Sequence, residues 1–183
     1  MNDSVQIFLE FALTHNVVFI LMFGVLVPIA AELTVKRSLT AGLKHALVLA
    51  LAGMVGTALF SLFPEDSAFL SPVAIMVVSV TAVAALYRWG ELQGEWAGIP
   101  RSLLAVAPIA GLQMYLWTEG ISGLDTVLAS FGAAVGYYLG IVIMVATIEQ
   151  IRIAEAPAYA KRIGTLFFAI AVFALGFTGF VFL

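Results

Sequence analysis

Six stretches without a charged residue decide what this chain can fold into. They lie between Glu10 and Glu32, Lys44 and Glu65, Asp66 and Arg88, Arg101 and Glu119, Asp125 and Glu149, and from Arg162 to the end, and they enclose 21, 20, 21, 17, 23 and 21 residues. A hydrocarbon core of about 30 Å needs about 20 apolar residues per helix, within a range of roughly 17 to 25, so each stretch is long enough to cross. Together they take up 123 of 183 residues. With 63% hydrophobic and 10% charged residues and a mean hydropathy of +1.11, the chain cannot present the polar surface of a soluble domain. The connections are short, which excludes a soluble catalytic domain and a nucleic-acid-binding role. The apolar runs are continuous and do not alternate, so helices are expected and not barrel strands. Residues 11–31 exceed the roughly 7–15-residue core of a secretory signal, and no Lys or Arg precedes them, so they are expected to stay in the mature protein. The expected fold is all-α: one integral membrane domain of six transmembrane helices over residues 1–183, multi-pass, in the cell (inner) membrane.

All eight basic residues fall in alternate connections: Lys36, Arg37 and Lys44, then Arg88 and Arg101, then Arg152, Lys161 and Arg162. The opposite face holds only Asp3, Glu10, Glu65, Asp66, Glu119 and Asp125. The positive-inside bias therefore predicts that both termini are non-cytoplasmic. Tyr87, Trp89 and Trp96 beside Arg88, and Trp117 at the other end, read as interfacial aromatics in contact with lipid.

Val27-Pro28-Ile29-Ala30 recurs as Ala107-Pro108-Ile109-Ala110, and Ala41-Gly42-Leu43-Lys44 through Leu47 recurs as Ser122-Gly123-Leu124-Asp125 through Leu128, at offsets of 80 and 81. Each half would hold three spans, an odd number, so the halves, approximately 1–94 and 95–183, are predicted to be inverted repeats. In such folds, corresponding spans interrupted by Gly or Pro point to a site near the bilayer midplane. Spans one and four fit, the first through His15, Asn16, Gly24 and Pro28, the fourth through Pro108 and Gly111. Proline kinks re-satisfied by neighbouring helices are the alternative. In spans two and five, Gly53 and Gly56, and the every-fourth-residue run Gly132, Gly136 and Gly140, predict close helix packing and a crossed centre.

The last third of the chain carries a resemblance. Leu128-Ala129-Ser130-Phe131-Gly132-Ala133-Ala134-Val135-Gly136, Ile148-Glu149-Gln150 followed by Ala154-Glu155-Ala156-Pro157, and Ala174-Leu175-Gly176-Phe177-Thr178-Gly179-Phe180 are similar to segments of the membrane subunits of the Rnf and sodium-pumping NADH:quinone reductase (Nqr) complexes, RnfA and NqrE in particular. Toward the N-terminus, His15-Asn16-Val17-Val18, Phe23-Gly24 and Thr34-Val35-Lys36-Arg37 also resemble that family. The resemblance implies six spans as inverted halves, pairing with an oppositely oriented homologue, and an intramembrane iron–sulfur cluster held by cysteines of spans one and four. The matching positions here are Leu26 or Val27, and Met114, and the chain has no cysteine. Iron–sulfur clusters need thiolate or occasionally His ligands, so no cofactor is expected. His15 and His45 lie a span apart without clustered partners, so no metal site is expected either.

No catalytic spacing is present, and no ionisable residue sits well inside a span, where a charge costs at least about 2.5–3.5 kcal/mol. Glu32 directly follows a repeat motif and either faces a vestibule or is solvated. Two readings stand. One is a structural or accessory membrane subunit of an ion-translocating electron-transport complex, at most a non-catalytic part of an oxidoreductase, with other membrane subunits as partners. The other is a small inverted-repeat transporter or channel, whose site would draw on His15, Asn16, Leu26, Val27, Pro28, Pro108, Gly111, Gln113 and Met114.

Overall fold

The computed structural model describes residues 3–30, 34–63, 69–154, 157 and 163–179. Glu32, Glu65, Asp66, Glu155, Ala156, Lys161, Arg162 and Phe180, named above, lie outside these residues. Helix α1 (Asp3–Leu9) continues directly into a π-helical segment, Glu10–Thr14. The chain then leaves helical geometry until α2 (Leu26–Ala30). Helices α3 (Val35–Phe60) and α4 (Ser71–Arg88) follow. A two-stranded antiparallel hairpin, β1 (Glu95–Trp96) and β2 (Ile99–Pro100), leads into α5 (Arg101–Thr118), α6 (Leu124–Ile153) and α7 (Ile163–Thr178).

Among the described residues, α3, α4 and α6 are each long and apolar enough to cross a membrane. Residues 4–14 and α7 are shorter apolar helices. Leu43, Leu47, Leu51 and Val55 recur every four residues along α3 and are all exposed, as expected of a stripe that faces lipid or another membrane chain. The chain is thus a helical, multi-pass membrane protein.

Local chemistry sets the helix ends. The Thr34 side chain accepts from Arg37 N at 3.4 Å and starts α3, and Glu149, near the end of α6, accepts from Val35 N at 2.9 Å. A carboxylate at a helix N-terminus satisfies an orphan donor and opposes the positive end of the helix dipole. Lys44 of α3 pairs at 2.5 Å with Glu91, beyond the end of α4. The most extensive helix–helix contact is α3 on α6; α4 and α5 pack on α3, and the broken N-terminal segment packs on α6. Leu49, Leu112, Leu116, Ala133, Tyr137 and Met144 fill the centre.

Candidate functional site at the break in the first span

The N-terminal segment loses its helix inside the protein. Between Thr14 and Leu26 the backbone turns irregularly, and Met22 has a φ of +59°, a left-handed conformation that costs a non-glycine residue roughly 1–2 kcal/mol. Irregular backbone at membrane depth is tolerated only where protein or a water-filled cavity surrounds it. Here protein surrounds the first half: Asn16, Val17, Val18 and Phe19 are fully buried. Phe19 packs on Phe173 and Phe177 of α7, with ring centroids 5.5 and 4.9 Å away.

Asn16 explains how the break is held. Its amide donates to the carbonyls of Ala12 (3.1 Å) and Gly136 (2.9 Å), and its oxygen accepts from the N–H groups of Val18 (2.9 Å) and Phe19 (3.1 Å). An Asn side chain offers two donors and two acceptor sites; all are used, three toward the backbone beside the break and one toward α6. The carbonyl of Gly136 is within reach because α6 presents glycine there. A Cβ on Gly136 would stand 2.5 Å from the Ala12 carbonyl oxygen, one on Gly140 2.6 Å from Val18, and one on Gly132 would collide with the Phe8 carbonyl oxygen. The every-fourth-residue glycine run therefore faces the broken segment, while the α3–α6 contact uses Ala46, Ala50 and Ala134 and Gly53 set against Ser130.

Span four differs from expectation. Helix α5 runs unbroken through Pro108, and Pro28 sits within α2, past the irregular stretch. Unwound backbone thus occurs once among the described residues, at 15–25, and not beside both prolines. The partner side chains account for it: in α5 a buried proline and glycine receive the broken segment, since a Cβ on Gly24 would meet Tyr137 and Pro108 and one on Gly111 would overlap Phe23. Proline and glycine here make room for a neighbour.

The expected site residues divide into three groups. Asn16, Val27, Pro28, Pro108, Gly111 and Gln113 are buried. Leu26 and Met114 are exposed by 38% and 57% in the isolated chain. His15 lies toward the end of the bundle, its Nδ1 3.3 Å from the Glu10 carboxylate and its ring against Phe11 and Tyr115. There it lines a cavity of about 400 Å³ with Glu10, Tyr115, Glu119 and Asp125. His45 bonds through Nδ1 to the Ala41 carbonyl at 2.8 Å, and among the described residues no three His, Cys, Asp or Glu side chains cluster. Ser79 and Ser130, both fully buried, were not singled out in the sequence because single serines in apolar helices carry no spacing signal; a helical wheel anchored on Gly53 would have placed Ser130 in the core.

A multi-pass helical membrane protein with one broken segment clamped by a carboxamide and a glycine stripe is the class these features define. No family model matches the chain. It is 25% identical over 186 residues to a membrane component of the ion-translocating oxidoreductase complex of Aromatoleum aromaticum, covering 98% of this chain and 96% of that protein. It is 22% identical over 193 residues to a component of the Na(+)-translocating NADH-quinone reductase of Pasteurella multocida, covering 98% of each. The corresponding component of the ion-translocating oxidoreductase complex of Sodalis glossinidius is 26% identical over 193 residues, with 98% of this chain and 97% of that protein covered. The similarity runs end to end, and it is to Rnf/Nqr family membrane subunits of the RnfA/NqrE type, with the difference that this chain has no cysteine.

The cluster that the family resemblance implies does not fit these residues. The positions matching its ligands hold Leu26 or Val27, and Met114. Two aliphatic side chains and one weak thioether cannot replace thiolates, so no electron-transfer step is assigned to this chain.

Proposed function

We propose that the chain is a structural or accessory subunit of an ion-translocating electron-transport assembly of the Rnf/Nqr kind, in the inner membrane, retaining fold and partner contacts but not the cluster. The carrying observation is the exposed edge of the break. Met22, Phe23, Leu26 and Met114 are all exposed, and Met22 and Phe23 belong to backbone without helical hydrogen bonding, which a lipid environment does not accommodate. A protein partner that covers this edge relieves the mismatch, and an oppositely oriented six-span homologue supplies it at the positions where the family resemblance implies cluster ligands. Six spans in inverted halves are supported by the packing: the first segment of each half lies on the long helix of the other, the broken segment on α6 and α5 on α3.

Gentle extraction followed by native mass spectrometry tests the proposal. The expected result is a complex with other membrane chains, in which this chain contributes no iron or acid-labile sulfide. A monomer, or a homo-oligomer alone, would overturn it and favour the second reading, a small transporter. That reading draws on the cavity beside His15 and Glu10, and flux through liposomes holding only this chain would establish it.

A further inference from the structure

Two buried oxygens on neighbouring helices have no hydrogen-bond partner within the chain. Gln113 of α5 and Ser130 of α6 are both fully buried. The Gln113 amide donates to Ser79 Oγ and to the Ile109 carbonyl, each at 3.1 Å, while its Oε1 and the Ser130 hydroxyl oxygen are unsatisfied. Both rest on one ledge of α3. A Cβ on Gly56 would stand 2.5 Å from Gln113 Oε1, and a Cβ on Gly53 would stand 2.6 Å from Ser130 Oγ. Positions three apart on a helix share a face with Cβ sites about 5–6 Å apart, so the two oxygens lie about a helical turn apart on that face. That is the span of a single bridging molecule. Leaving both unsatisfied in an apolar interior costs about 1–3 kcal/mol each, and buried waters in proteins typically serve such groups.

We propose that Gln113 Oε1 and Ser130 Oγ bind one buried water molecule on the Gly53–Gly56 ledge, joining α3, α5 and, through Ser79, α4 to α6. The water donates one hydrogen to the Gln113 oxygen and exchanges a second hydrogen bond with the serine hydroxyl. The donor set selects water over a cation: neither oxygen carries charge, and an ion within the helix bundle would have no counter-charge to offset its desolvation. The way in is short. Thr126, one turn before Ser130 on the same face of α6, is buried, and Asp125 beside it lines the open cavity at the bundle end.

The test uses the full chain in lipid nanodiscs. Water-edited NMR on the wild type is expected to show a cross-peak between the Gln113 side-chain amide and bound water, and Ser130→Ala is expected to lower the Tm by about 2–4 °C. Gly56→Ala, which intrudes on the ledge, should remove the cross-peak. A wild-type spectrum without that cross-peak overturns the proposal even if the variants fail to fold. So does an unchanged or raised Tm in Ser130→Ala, since deleting a truly unsatisfied hydroxyl is neutral or stabilising. Stabilisation by sodium over choline at equal ionic strength that disappears in Ser130→Ala would identify a cation as the occupant and likewise overturn it.

Discussion

Asn16 is where a single side chain decides whether an irregular stretch can exist at all. Asn16→Ala removes four hydrogen bonds and leaves the Gly136 carbonyl and two N–H groups without their partner. Polar contacts between membrane helices average about 0.6 kcal/mol, and unsatisfied buried groups cost about 1–3 kcal/mol. A loss of roughly 2–4 kcal/mol is therefore expected, read as a reduced unfolding midpoint in a mixed-micelle SDS titration. Glycine substitutions should divide by location. Gly136→Ala forces a methyl group against the Ala12 carbonyl and should cost about 1–3 kcal/mol, as overpacking usually does. Gly176→Ala, on a helix position with open space around it, should be neutral or stabilise by up to about 1 kcal/mol from helix propensity. Equal effects in the same titration would show that the glycine stripe does not clamp the broken segment.

The helices themselves were largely legible. The uncharged stretches coincide with α3 to α7 because length and apolarity decide membrane helices before any packing detail is known. The break was only half legible: His15-Asn16 and Gly24 lay in the right segment, but the proline pairing placed it too late and duplicated it in α5. A proline alone does not reveal whether a neighbour needs its missing hydrogen bond or only its shape. The exact path of 15–25 depends on Gly136 and Phe173, more than a hundred residues away, which local pattern cannot convey. Since α5 is continuous, Pro108→Ala should preserve the fold and regain a helical hydrogen bond. The expected change in midpoint is zero to a few degrees upward, by circular dichroism, after allowing for the ring contact with Gly24. A large loss of helicity would mean that Pro108 itself organises the break.

Over the whole molecule, the absence of cysteine in the sequence offers a direct reading of topology. Ser122→Cys, at the cavity end of α6, is expected to react with a membrane-impermeant maleimide in intact cells. Gln93→Cys, in the connection carrying Arg88 and Arg101, should react only after permeabilisation. The reverse pattern would invert the orientation drawn from the basic residues. The hydrogen bond from Asn16 to Gly136 spans 120 positions of sequence, and that separation sets an order of events in biosynthesis. When the N-terminal segment reaches the translocon, the helix that will receive it has not been made. A nascent chain ending before α6 carries an open backbone loop with no surface to lie on, so ribosome-bound intermediates truncated at residue 120 should be cut by protease at 15–25, and those extended past residue 153 should resist. Membrane integration of this protein is in that sense completed backwards, its first segment being the one that settles after the fifth has arrived.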